Sequence, residues 1–256
     1  MTPAQLFDMT GKLALVTGGG TGLGRQFALT LAQAGATVIL AARRVEPLKE
    51  TAATIGDNGG TAHCVALDVT DATAVASTFK AINDIGALDV VVNNAGSAAA
   101  GSLLEIDDEV WDRIMGVNVK GAWHVARAAV QQMIARGRGG TIINVASVLG
   151  FAMQKGTANY PASKAALLHL TRTMALEWAR YGVRVNALAP GYFRTEMSDG
   201  YVTSERGKAM VERMPMRRLG EPAELSGALL LLASNAGAYL TGSVITIDGG
   251  LSLPTI

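Results

Sequence analysis

LALVTGGGTGLG, residues 13–24, followed by a helical pattern through Ala34, decides the fold of this 256-residue chain. Leu13 to Thr17 is an apolar run of strand length, and the glycines after it impose a tight turn. Strand, glycine-rich turn and helix in that order set backbone N–H groups at a helix start, where the helix dipole favours a pyrophosphate. Gly18, Gly22 and Gly24 are the positions that let the turn tighten and the phosphate approach, with Thr21 and Leu23 between them. Gly35 closes the helix, and residues 37–41 supply the second strand of a βαβ unit. An acidic residue at the end of that strand would bind the ribose hydroxyls of NAD, whereas an arginine accommodates the 2′-phosphate of NADP. Ala42, Arg43 and Arg44 stand there, so NADP(H) is expected over NAD(H).

Outward from this unit, apolar runs at 63–67, 88–92, 142–145, 183–189 and 244–247 alternate with helical patterns. The helices are expected at 45–55, after Asp71, at 107–136, 158–181 and 222–233. Such alternation implies an α/β chain with a doubly wound parallel sheet, right-handed crossovers and helices on both faces. No repeat, linker or low-complexity stretch divides it, so residues 1–256 are read as a single domain. Ligands of such sheets bind at the carboxyl ends of the strands. Asp68 and Val69 lie at one such end, and Asp68 either accepts from an adenine amino group or caps the next helix. Another strand ends in Asn93-Asn94-Ala95-Gly96, whose small and amide side chains leave room for a cofactor ribose.

The chemistry is expected in TIINVASVLGFAMQKGTANYPASK, residues 141–164. Ser147 sits at the carboxyl end of a strand, and Tyr160 and Lys164, four apart, share a helix face. A Tyr-x-x-x-Lys pair alone is a weak motif. In this setting the ammonium is expected to lower the phenol's pKa, making Tyr160 a general acid while Ser147 hydrogen-bonds the oxygen that gains charge. Asn118, between Val117 and Val119, needs a partner if buried; it is either functional or a satisfied amide that kinks its helix. Residues 192–218, with Met197, Met210, Met214 and Met216, read as a substrate lid because unbranched methionines adapt to irregular apolar shapes. The apolar Leu149, Phe151 and Met153 and the small residues 97–100 lean toward an apolar ketone.

Composition excludes several classes. A net charge of +1 lacks the clustered cations that nucleic acid requires. The longest apolar run, 228–233, is too short for a bilayer, and the first twelve residues lack a secretory pattern, so a soluble cytoplasmic protein is expected. One cysteine, Cys64, permits no intrachain disulfide and fits a reducing compartment. No metal site is expected.

Taken together, Thr17-Gly18-Gly19-Gly20-Thr21-Gly22-Leu23-Gly24, Asn93-Asn94-Ala95-Gly96, Asn118, Ser147, Tyr160 with Lys164, and Pro190-Gly191 occur in a familiar order. The chain resembles the short-chain dehydrogenase/reductase family over essentially its whole length, in the group with a TGxxxGxG loop and a YxxxK site. The resemblance implies a Rossmann-like fold and reversible hydride transfer between a nicotinamide and a ketone or aldehyde. It implies that Ser147, Tyr160 and Lys164 carry catalysis, with Asn118 holding a water that connects Lys164 to solvent. Pro190, Gly191 and Thr195 would lie against the nicotinamide, and a homotetramer is implied. Many NADP-preferring relatives place a basic residue where this chain has Thr21, so the preference rests chiefly on Arg43. Substrates open to the family include bulky ketones, 3-oxoacyl thioesters and sugar alcohols. A protein that binds NADP without turnover would be expected to have lost part of the catalytic set, which here is whole.

Overall fold

The computed structural model describes residues 2–196 and 204–253. After a short helix α1 (Pro3–Leu6), strands β1 (Leu13–Thr17), β2 (Thr37–Ala42), β3 (Thr61–Ala66), β4 (Leu88–Asn93), β5 (Gly140–Val145), β6 (Val183–Pro190) and β7 (Val244–Ile247) form one sheet in the order β3-β2-β1-β4-β5-β6-β7. Every neighbouring pair is parallel. The order reverses between β1 and β4, and a crevice opens at the carboxyl edge of such a switch point.

Strand residues alternate between two cores, which is what winding on both faces requires. Ala14, Val16, Val38 and Leu40 pack with Phe27 and Leu31 of α2 (Gly22–Gln33) and Leu48 and Ile55 of α3 (Glu46–Asp57). Leu13, Leu15 and Ile39 pack with Phe79 of α4 (Ala72–Ile85) and Met133 near the end of a long helical segment. With both faces covered, each inner strand carries a run of apolar residues, and that is why the strands are legible, although Asn144 and Asn186 are buried within them.

Three helical expectations are corrected. The helix expected at 107–136 is α5 (Asp108–Met115), a π-helical turn (Gly116–Gly121) and α6 (Ala122–Ala135). Asn118, in the π turn, takes side-chain partners outside its own helix. The helix expected from 158 starts at Tyr160 as α7 (Tyr160–Trp178), because Ala158 has φ 48° and Pro161 belongs to a first turn. It finishes in a 3-10 turn, Ala179–Tyr181. The helix expected at 222–233 is a 3-10 turn, Pro222–Leu225, leading into α9 (Ser226–Ala233); α8 (Glu205–Arg213) precedes it. Within the expected lid, Met197 lies outside the described residues, Met214 is buried and Met216 is exposed.

Candidate active site

β1 delivers the chain to Gly18 at φ 68°, whose N–H donates to the Ala41 carbonyl at 2.7 Å. A Cβ on Gly24 would stand 2.1 Å from the Gly18 oxygen, so only glycine lets the start of α2 rest on this turn. Gly22, at φ 51°, has open space above it apart from Thr195, whose Cγ2 would be 3.7 Å from an added Cβ. Thr21 is the N-cap and makes no side-chain capping bond, while Leu23 packs into the core below. The outcome is a helix start faced with glycine and backbone N–H, a cradle that fits a pyrophosphate.

Thr17 organises the turn beside it, a role the sequence reading missed. Its Oγ1 accepts from the N–H groups of Asn94 and Ala95, both at 3.0 Å. Asn94 Nδ2 in turn donates to the carbonyls of Thr17 (3.0 Å) and Gly18 (3.3 Å), so the 93–96 turn is stitched to the glycine loop. A hydroxyl residue closing an otherwise aliphatic strand was the available signal.

At the other end of the cradle, Arg43 and Arg44 are exposed at the end of β2. Asp68 accepts from the N–H (2.9 Å) and hydroxyl (2.7 Å) of Thr70. Those bonds, with a smaller contribution from the Arg43 guanidinium, hold its carboxyl below the usual range. The helix cap is Asp71 instead, accepting from Thr73 and Ala74 at 2.8 and 3.0 Å, so Asp68 does not cap that helix. Val69 is buried, its carbonyl 3.2 Å from His124 Nδ1.

Ser147 is buried at the end of β5, its Oγ accepting from the Leu149 N–H at 3.1 Å and hydrogen-bonded to Tyr160. Lys164, 4% exposed, donates from Nζ to the Val145 carbonyl at 2.8 Å and stands 5.6 Å from the centre of the Tyr160 ring. Burial pulls its pKa down to about 8. The expectation that Lys164 sets a low phenol pKa is corrected: burial is the largest influence and pushes Tyr160 up, opposed by the bond from Ser147, with Tyr192 a further upward influence. Four-residue spacing puts both groups on one face, but the ammonium turns toward a strand-end carbonyl and the phenol loses solvent, which disfavours its anion.

Asn118, 1% exposed, is fully engaged: Oδ1 accepts from Ser97 N–H (2.7 Å), and Nδ2 donates to Ser97 O and Ser163 Oγ (both 2.9 Å). Ser163, inside the Tyr160–Lys164 turn, passes the link on to the Tyr160 carbonyl at 2.7 Å. Gly96 occupies the middle, where an added Cβ would be 3.5 Å from Asn118 Oδ1 and 3.8 Å from Lys164 Nζ. Pro190 ends β6 buried, and the Gly191 N–H donates to Ile247 O at 2.8 Å. A Cβ there would meet Asp248 at 2.7 Å. Tyr192, the first residue of the expected lid, and Gln154, which sequence reasoning did not single out, are joined by a short hydrogen bond.

The model for the family described as short chain dehydrogenase matches residues 12–206. A gluconate 5-dehydrogenase from Gluconobacter oxydans is 38% identical over 99% of this chain and 99% of its own length. A 3-oxoacyl-[acyl-carrier-protein] reductase from Vibrio harveyi is also 38% identical, over 95% of this chain and 98% of its own. The crystal structure of a gluconate 5-dehydrogenase from Burkholderia cenocepacia, in complex with NADP and tartrate, superposes with a TM-score of 0.95 at 36% identity, covering 99% of this chain and 100% of that one. Sequence, sheet order and a strand-end site of this composition agree, and the chain belongs to the short-chain dehydrogenase family of oxidoreductases.

Proposed function

We propose that the chain interconverts a ketone or aldehyde and its alcohol with NADP(H) in preference to NAD(H), Tyr160 being the general acid in reduction and the general base in oxidation. The bound nicotinamide supplies or accepts the hydride. Gly18, Thr21, Gly22, Leu23 and Gly24 hold the pyrophosphate, Arg43 and Arg44 the 2′-phosphate, and Asp68 and Val69 the adenine. Asn94, Ala95 and Gly96 border the ribose, and Pro190, Gly191 and Thr195 the nicotinamide end. Burial keeps the Tyr160 phenol protonated at neutral pH, ready to give its proton to the carbonyl oxygen. Ser147 is the second donor at that oxygen, and its bond to Tyr160 favours the phenolate left behind, while Lys164, charged below about pH 8, would hold the nicotinamide ribose. Asn118 braces the Tyr160–Lys164 turn through the Ser163 hydroxyl, which leaves its main chain to hold the water through which Lys164 would exchange protons.

The observation that carries this reading is that Asn118 and Lys164 meet beside Gly96, and Ser147 is hydrogen-bonded to Tyr160 one helical turn before Lys164. Residues 192–218 are assigned as the substrate lid, homotetramer as the assembly and the cytoplasm as the location. No described helix is long and apolar enough to cross a membrane. Relatives acting on gluconate and on acyl-carrier-protein thioesters at equal identity keep sugar-type and thioester substrates beside the simple ketone. The test is NADPH and NADH oxidation over a panel of ketones, keto-sugars and 3-oxoacyl thioesters, with Tyr160→Phe alongside. Loss of about 10²–10⁴-fold in the variant, with NADPH binding retained, is expected; activity within threefold of wild type would overturn the assignment.

A further inference from the structure

The strand-end loops after β5 and β6 are anchored separately. Gly101 N–H donates to Gly156 O at 3.2 Å, Ala158 N–H to Gly101 O at 3.1 Å, and Thr157 Oγ1 to Gln154 O at 2.8 Å. On the other side, Gly191 N–H is tied to Ile247 O, and Gly220 N–H donates to Tyr192 O at 3.0 Å. Between these two fixed loops the Tyr192 hydroxyl donates to Gln154 Oε1. Both residues are half-buried, whereas Phe151 and Met153 of the same loop are 49% and 89% exposed. The polar side chain is therefore held inward while Phe151 and Met153, two of the three residues behind the lean toward an apolar ketone, face outward; Leu149 is half-buried. Tyr192 is also near enough to Tyr160 to disfavour its anion.

Ser147 and Tyr160 already serve the oxygen that reacts. A phenol and a carboxamide both donate and accept, so they exchange partners with an entering hydroxyl without loss, while an apolar group placed against them would bury them at a cost. We propose that Tyr192 and Gln154 read a second oxygen of the substrate, on the carbon beside the reacting one, and fit the site to hydroxylated carbonyl compounds and their polyols over simple ketones. The inference deepens the redox reading and rests on it for which carbon reacts.

The test compares 2-hydroxycyclohexanone with cyclohexanone, as kcat/KM with NADPH and as binding to the NADP-loaded enzyme by calorimetry, in wild type, Tyr192→Phe, Gln154→Met and the double variant. Wild type is expected to favour the hydroxylated compound by about tenfold or more, the scale of one well-made hydrogen bond. Each variant should bring that ratio down toward one, and the double variant should change it no further, because both side chains serve one contact. A wild-type ratio near one, including no detectable binding of either compound, overturns the inference. So does a ratio that persists in both single variants, as equal losses on both compounds would produce if the pair merely braced the loops. Discrimination in binding that depends on Tyr192, with no NADPH oxidised by either compound, would sustain the subsite and sink the redox reading instead. NADPH affinity of each variant serves as the folding control.

Discussion

Lys164 is a cation placed where solvent does not reach, with a backbone carbonyl for a partner and a pKa drawn down to about 8 by burial. In the unfolded chain it titrates near the ordinary lysine value of 10.5, so between about 8 and 10.5 the unfolded state binds the extra proton and stability rises with pH. The contribution is complete above the unfolded value and is lost as pH falls through the folded one. Urea unfolding of the cofactor-free protein across that window should show the rise in wild type and not in Lys164→Met; parallel curves would contradict it. Arg43 has the opposite character, exposed and positioned by chain order rather than by packing. If it takes the 2′-phosphate, the charge-assisted bond contributes about 1.5–3 kcal/mol, or roughly 10- to 150-fold in kcat/KM for NADPH over NADH. Ala42→Asp with Arg43→Ser should reverse the preference, since a carboxylate accepts from free ribose hydroxyls and repels the phosphate. Arg44 stands next to it, so Arg43→Ala alone should weaken the preference less. Equal use of NADH by wild type would return both arginines to the role of solvated loop residues.

At the scale of elements, the loop between β1 and α2 leaves no room for a methyl at Gly24, 2.1 Å from the Gly18 carbonyl oxygen. Gly24→Ala must push α2 off the loop, and an overpacked contact costs about 1–3 kcal/mol. The expected result is a lower melting temperature together with a KM for NADPH raised about tenfold or more, because the same shift moves the N–H cradle. Gly56 of α3 offers the matched control, with nothing within 4 Å of an added Cβ. Gly56→Ala should stabilise by about 0.4–1 kcal/mol and leave KM alone. Both variants melting alike would show that the contact at Gly24 does not limit the fold. The π turn is a comparable case: it brings Asn118 to bear on Ser97 and Ser163, tying the turn after β4 to the first turn of α7.

At the scale of the molecule, large apolar side chains remain exposed on the outer faces of α6 and α7 and beside β7. Ile134 is 41%, Leu176 83% and Leu253 64% exposed, and Tyr239 projects fully. Exposed apolar groups of this size suit burial against further copies of the chain. A homotetramer is the expected state, checked by light scattering at micromolar concentration. A stable monomer there would contradict it.

Residues 13–24 and the seven apolar runs determined the α/β class, the winding on both faces and the strand-end location of the site. These follow from local physics: a strand covered on both faces carries a run of apolar residues, and a turn this tight needs glycine at positions such as Gly18 and Gly24. Ser147, Tyr160 and Lys164 were legible as candidates from a strand end and a four-residue helical spacing, and Asn118 as a candidate through the family resemblance. What each group experiences was not. The direction of the Lys164 ammonium, the upward push on the Tyr160 phenol, the π turn at Asn118, the binding of Thr17 to the 93–96 turn and the Tyr192–Gln154 bond all join residues far apart in the chain. Burial and long-range hydrogen bonds exist only after the sheet has brought its strand ends together, and only the tertiary structure could decide them.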